Sequence, residues 1–484
     1  MESPGIKSST DAAQVPAPTR HGLFDKRGVL RHRHFRRVWA ASFVSNSGNW
    51  MELVGIQMTV ATLTGDLRML GIHGAATLTP ILVFGLFGGL AADRVNRRKL
   101  LVVTQAMLMV LAAAVAVASM VHWEKPMTLV WVLIGLGALQ GLVMAFNMPA
   151  WQVMTPRLVP RSELTAAITL NGIQFNLARA VGPALAGLIM GTWGTTPLFV
   201  VNALTFMGVM LAVVRTPDAP APPHDGRNPW RQIGDAIGYI AFGRGPLAIF
   251  MAMFLMSMLA APLVRLLSMF VIDVYDLHGD AADKTVGWLL GVQGIGAVAG
   301  GLCLRYVPVW YPKHHFIPLS VAACGLAITV FALLAVPWMG YVAMTVVGFF
   351  WIWAFNQSWA AMQNVVPDAM RGRVMSVANV AAFGATAAGG LAGGYFGELL
   401  AGRALPLVGV VSKAASTQAA IGALAVLLLV SGVVMMVWRV PEVDGLPRGG
   451  ADATWRKRLD LFNAITARNH RPPDDAAAGP GNVA

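Results

Sequence analysis

Twelve apolar stretches of about 20 residues or more, separated by short polar breaks, set the strongest limit on how this chain can fold. They lie near 38–63, 69–92, 100–121, 127–149, 165–191, 195–214, 247–272, 285–304, 316–336, 340–362, 374–400 and 416–438. A helix rises about 1.5 Å per residue, so each stretch is long enough to cross the hydrocarbon core of a bilayer. Several contain Pro or Gly, which spanning helices tolerate because neighbouring groups satisfy the freed backbone. Charged residues make up only 12% of the chain, against about 25% in soluble domains, so lipid is the solvent this surface suits. The expected fold is an all-α membrane protein of twelve transmembrane helices in two pseudo-symmetric six-helix halves.

The net charge of +13 raises the question of nucleic acid, and its distribution answers it. Of the 36 Lys and Arg residues, 29 fall in the two tails and the even-numbered loops, 5 in the odd-numbered loops and 2 inside the apolar stretches. That is the positive-inside pattern, which predicts a multi-pass membrane protein with both termini cytoplasmic and no nucleic-acid partner. The N-terminal tail is too polar, and the first apolar stretch too long, for a cleaved signal peptide. The two cysteines, Cys303 and Cys324, sit within apolar stretches and suggest neither a disulfide framework nor a metal site.

The expected organisation is a basic tail (1–37), a first helical half (38–214), a linker (215–246), a second half (247–438) and a C-terminal tail (439–484). In the linker, Pro217, Pro220, Pro222 and Pro223 break any helix, after which Trp230, Ile233, Ile237 and Ile240 recur at helical spacing beside Arg231 and Asp235. This predicts an amphipathic helix on the membrane surface, or else a solvated linker with chance apolar residues. In the tail, Trp455, Leu459 and Phe462 share a face beside Arg456, Lys457 and Arg458, a pattern suited to anionic lipid, and the stretch after Arg471 reads as disordered. The halves resemble each other in order: Phe146-Asn147 answers Phe355-Asn356, and Val159-Pro160 answers Val366-Pro367. Gly182 and Gly187 likewise answer Gly389 and Gly394. Duplicated halves put a substrate site at their interface near the bilayer midplane.

The stretch Gly89-Leu90-Ala91-Ala92-Asp93-Arg94-Val95-Asn96-Arg97-Arg98 resembles the signature loop between spans two and three of the major facilitator superfamily. Within it, Phe35-Arg36-Arg37-Val38-Trp39, Ser45-Asn46-Ser47-Gly48-Asn49-Trp50-Met51, Pro156-Arg157-Leu158-Val159-Pro160 and Arg371-Gly372-Arg373-Val374-Met375-Ser376 look most like the group holding the enterobactin exporter and macrolide efflux proteins. The resemblance covers roughly residues 30–440. It implies the bacterial inner membrane, alternating access, a small-molecule substrate, a monomer and no cofactor.

Asp93 falls at the inner C-terminal end of span two, where a carboxylate gains nothing from its own helix dipole and needs a positive partner. The resemblance implies that it meets the start of span eleven beside Arg371 and Arg373. Gly89, one turn deeper, would let that helix approach, and the contact would act as a latch. Arg94, Arg97, Arg98 and Lys99 serve either that latch or topology alone. Asn96 stands where the family often has glycine, a position suited to a left-handed turn.

Glu52 lies near the middle of span one, where an ionised acid costs about 2.5–3.5 kcal/mol. Asn46 and Asn49 precede it at steps of three and predict a polar stripe toward a cavity. Arg179 in span five is the expected counter-charge, as a static bridge or as a proton-coupling pair. Gly182, Pro183 and Gly187 resemble the end of the span-five motif of antiporters and predict a bend with close packing. Gln140-Gly141 matches the end of the span-four motif of proton-coupled exporters, with Gly137 in place of its arginine. Arg265 in span seven either faces an anionic substrate or bridges to Asp273, with Gln293 and Asn356-Gln357 as neighbours. His73 reads as interfacial, and His32, His34, His314 and His315 as solvated. Trp351, Trp353, Phe355 and Trp359 read as core, or in part as walls for a bulky apolar substrate.

No nucleophile–base pair, phosphate loop or metal-ligand spacing points to an enzyme. The function expected is export of a small amphipathic molecule by proton antiport. An importer of the same fold, or a non-transporting receptor, are the alternatives.

Overall fold

The computed structural model describes residues 28–217, 229–308, 311–405, 409–438 and 440–444. The tail cluster at Trp455 and the prolines at 220–223 lie outside them. The chain forms α1 (Arg33–Thr64), α2 (Leu67–Arg94), α3 (Arg97–Met120), α4 (Pro126–Leu158), α5 (Leu164–Trp193), α6 (Thr196–Val214) and α7 (Pro229–Phe242). It continues with α8 (Arg244–Leu255), α9 (Pro262–Asp273), α10 (Asp280–Cys303), α11 (Lys313–Leu333), α12 (Pro337–Val365), α13 (Asp368–Leu400) and α14 (Lys413–Val437). A single antiparallel pair, β1 (Ala404–Leu405) with β2 (Gly409–Val410), decorates the loop before α14.

Among the described residues, eleven helices are long and apolar enough to span a membrane, α8 and α9 counting as one. The 32-residue α1 has the length but carries Arg36, Arg37, Asn46, Asn49 and Glu52, which lower its apolarity. Asn96 does not use the left-handed backbone that Asn tolerates. It has φ −56°, and its side chain caps α3 by accepting from the N–H groups of Arg98 (3.1 Å) and Lys99 (3.2 Å). The helix expected in the linker is α7, with Ala236 and Ile240 buried, Ile237 exposed, and Tyr239 donating to the Val365 carbonyl at the end of α12 (2.9 Å).

α8 and α9 join through one wide π turn, Met256–Ala260. Pro262, just after it, has no N–H to give the Met258 carbonyl four residues back. Gly389 of α13 packs directly over that carbonyl, an approach any side chain would block.

Within each half the helices interlock: α1 with α5 and α6, and α2 with α4 in the first, α10 with α12 and α11 with α14 in the second. Between the halves, α9 touches α1 and α2, and the two most extensive pairs are α2 with α13 and α5 with α10. Both depend on glycine. A Cβ at Gly394 would come within 2.6 Å of the Leu67 carbonyl, and one at Gly71 within 2.6 Å of the Gly390 carbonyl. On the other pair, a Cβ at Gly187 would come within 2.8 Å of the Gly287 Cα. Gly187 and Gly394, matched in the sequence repeat, thus occupy corresponding places in two seals. The seals lie at the ends of α2 and α5 remote from the basic loops.

Candidate functional site

Toward the basic face the halves part, leaving a cavity of about 600 Å³. One wall comes from α1, α3, α4, α5 and α6, the other from α12 and α13. α4 and α12 outrun their expected spans toward this face, and Trp151, Met154 and Leu158 on the extension of α4 line the mouth. Asn46, Asn49 and Gln174 line the cavity with Trp39, Phe175 and Trp359. Asn46 donates weakly to Gln174 Oε1 (3.4 Å), while Gln174 Nε2 and Trp359 Nε1 are buried without a hydrogen-bond partner. No Asp or Glu is among the described residues that line it. The surface combines side-chain amides, which both donate and accept hydrogen bonds, with aromatic and sulfur-bearing faces.

Glu52 is absent from that wall. Its residue is only 5% exposed and lies inside the first half. Gln140 of α4 donates to Oε1 and Asn202 of α6 to Oε2, each at 2.6 Å. Gly48, one turn away, leaves the space that Asn202 occupies: a Cβ there would lie 2.6 Å from Asn202 Oδ1. The expected stripe breaks up for a geometric reason. At about 100° per residue, six residues from Asn46 to Glu52 rotate the side chain by roughly 120° away from the cavity. Two amides cannot neutralise a carboxylate, so the site holds an acid without a cation beside it.

Arg179 correspondingly does not pair with Glu52. Its guanidinium lies 5.2 Å from the Trp351 ring centroid, reaching from the first half into the second. One guanidinium nitrogen, Nη2, has no hydrogen-bond partner. Gly294 of α10 admits the backbone of Ala180 next to it. Pro183 deprives the Arg179 carbonyl of its helical donor, and Gly182 packs on α1, where a Cβ would meet the Ser47 carbonyl at 2.6 Å.

Arg265 does not bridge to Asp273, which accepts instead from Thr417 Oγ1 (2.7 Å). Arg265 lies against Gly74 of α2, with Nη1 unpartnered. Nor is His73 interfacial. It is 4% exposed, and its Nε2 would lie 3.1 Å from a Cβ at Gly137. Gly137, where the family motif has arginine, makes the room that His73 and Thr77 fill. Sequence reading missed this because the signal was an empty side chain. Gln293 is buried with Nε2 unpartnered. Trp353 belongs to the core, donating to the Gly300 carbonyl (2.8 Å) and packing at a tilt against the Phe316 and Phe349 rings.

At the basic face, the side chain of Asp93 lies outside the described residues. A Cβ at Gly89 would meet nothing within 4 Å, so span eleven does not approach there. The last glycine contact of α2 with α13 is one turn earlier, where a Cβ at Gly85 would lie 3.2 Å from the Val380 side chain. Arg371 turns to α12, donating to the Gln363 carbonyl (2.9 Å), with Arg373 half-buried two residues on. Arg98 donates to the last carbonyl of α6 at Val214, Arg97 is buried and Arg94 exposed. His32, expected in solvent, pairs with Glu163 (2.9 Å), and His314 is buried against Asp444. Among the described residues no group of three or more His, Cys, Asp or Glu could hold a metal ion.

A family model described as transmembrane secretion effector matches residues 27–459. The staphyloferrin A transporter of Staphylococcus aureus is 24% identical over 342 residues, 70% of this chain and 83% of that protein. The enterobactin exporter of Citrobacter koseri is 24% identical over 367 residues, 74% and 85% respectively. Among solved structures, a D-xylose–proton symporter superposes with a TM-score of 0.65 at 12% identity, over 85% of this chain and 99% of that one. A bacterial homologue of the human lysosomal transporter Spinster, titled inward-facing and unoccupied, gives 0.65 at 12% identity over 84% and 97%.

Proposed function

The chain belongs to the transmembrane secretion effector family of the major facilitator superfamily, and from that premise we propose that it exports a small amphipathic molecule across the bacterial inner membrane by proton antiport. It is a multi-pass membrane transporter and not an enzyme. The observation that carries the reading is the cavity between the halves, open at the basic face and closed opposite by the two glycine seals. With the basic face cytoplasmic, the cavity stands ready to load from the cell interior. α1 serves as the twelfth span. Relatives that handle siderophores support a cargo rich in acceptors, such as a siderophore or macrolide.

Glu52 is the proton carrier in this reading. Its two amide partners accept a neutral or an ionised carboxyl alike, because each can turn to present N–H or C=O. It lies one helix face away from the cargo wall, so protonation would act through the packing of α1 against α4 and α6. Asp93, Gly89, Arg371 and Arg373 would then engage as a latch when the basic face closes, with Arg94, Arg97 and Arg98 setting topology and capping helices.

Inverted membrane vesicles energised to an acid interior test this. Enterobactin or erythromycin should accumulate inside, and Glu52→Gln should abolish the dependence on the pH gradient while leaving counterflow of unlabelled for labelled cargo. Accumulation only in right-side-out vesicles would overturn export, and a gradient response unchanged in Glu52→Gln would remove Glu52 from coupling.

A further inference from the structure

The second half carries a second cavity of about 350 Å³ that shares no lining residue with the central one. Its volume falls within the range of ligand pockets, about 300–1,000 Å³. It lies at the basic face between the start of α8, the start of α11 and the end of α14. The floor is apolar, formed by Met251, Ile317, Pro318 and Met435.

The wall is built by a deliberate fold-back. After α14 the chain returns as Val440–Asp444, and Asp444 accepts from the N–H of Lys313 (2.7 Å) and from the His314 ring. Burial alone would raise the Asp444 carboxyl; the hydrogen bonds from His314 and from the Lys313 and His314 backbones outweigh it and hold the group below the usual carboxylate range. Gly245 lets the returning helical turn lie close, since a Cβ there would meet Glu442 backbone at 2.9 Å.

The rim carries Arg244 and Lys313 against one acid, Glu442, with His314 already committed to Asp444. Counted over the lining residues Arg244, Lys313 and Glu442 alone, that is one net positive charge over an apolar floor. Met251 and Trp438, which both line the cavity, are exposed at the protein surface. A headgroup of one negative charge with acyl chains neutralises the rim and fills the floor together, and Trp438 sits where an aromatic ring meets headgroups.

We propose that this cavity is a binding site for an anionic phospholipid of the inner leaflet, its phosphate held by Arg244 and Lys313 and an acyl chain laid along Met251, Ile317 and Met435.

Native mass spectrometry of the full chain, delipidated and then offered phosphatidylglycerol or phosphatidylethanolamine, reads the site. Phosphatidylglycerol should be retained about tenfold more than phosphatidylethanolamine, and Arg244→Gln with Lys313→Gln should erase that preference. Lys313→Gln keeps the backbone N–H that holds Asp444, and an unchanged thermal midpoint confirms the fold. Equal retention of the two lipids, or of phosphatidylglycerol by wild type and variant, would overturn the proposal. Independently, a photoreactive benzoylphenylalanine at Met251 should crosslink to phosphatidylglycerol in vesicles, and a crosslink to residues 445–484 instead would overturn it by making the chain's own tail the occupant.

Discussion

Gly287→Ala should open the outer seal. The added methyl would stand 2.5 Å from the Gly187 Cα and 2.7 Å from both the Gly187 nitrogen and the Pro183 carbonyl. Carbon contacts settle at about 3.5 Å or more, so α5 and α10 must separate by roughly 1 Å. All three neighbours are backbone, and no side chain can swing aside. Overpacking of this kind costs about 1–3 kcal/mol. If the seal exists only in the state closed on this side, the cost falls on that state alone. The equilibrium then moves toward the form open on this side by about 5- to 150-fold. Spin labels at Trp193→Cys and Asp280→Cys, in a background lacking Cys303 and Cys324, would report the separation of α5 from α10 by electron–electron resonance. A longer-distance population should appear or grow. An unchanged distance distribution with a lowered melting temperature would refute the reasoning, because the strain would then be borne by unfolding and not by opening.

Three further outcomes follow from named contacts. Glu52→Leu strands the Gln140 and Asn202 amides in the first half and should lower stability by about 1–3 kcal/mol for each unsatisfied group, whereas Glu52→Gln should cost less; denaturation in detergent compares them. Trp351→Leu removes the aromatic face under Arg179 and should weaken the contact between halves by about 0.5–2 kcal/mol, read as faster proteolysis or labelling at the outer end of α5. The Asp444 carboxyl is held below its ordinary value in the folded protein, so the stability its tether contributes is present in full above the unfolded value of about 4 and is lost as pH falls through the lower folded value. Hydrogen exchange at 440–444 should therefore stay slow from pH 7 to about 5 and quicken only below about 4, while Asp444→Asn should quicken it throughout.

Much of the architecture was legible because lipid imposes it. Apolar length marks the spans, the bias of Lys and Arg marks one face, and the ordered glycine matches mark two seals whose packing the structure then displays. The errors share one physical origin. Glu52, Arg179, Arg265 and His73 could be recognised as unusual from their type and depth, but their partners depend on which way each helix is turned. A rotation of roughly 120° between Asn46 and Glu52 moves the acid from the cavity to the interior of its own half. His314 looked solvated for a related reason, since its partner Asp444 lies 130 residues away and reaches it only through the fold-back after α14.

The sequence by itself determined that the chain lives in a bilayer, that it crosses many times, which face is basic and to which superfamily it belongs. These follow from local quantities: the length of apolar runs, the count of charges in loops and short motifs. Only the tertiary structure decided that Glu52 meets Gln140 and Asn202, that Arg179 rests on Trp351, and that Gly89 faces open space while Gly187 is pressed against Gly287. Those outcomes depend on helix rotation and on how closely two backbones approach. Both are set by small residues on a neighbouring helix, and neither can be read from one segment alone.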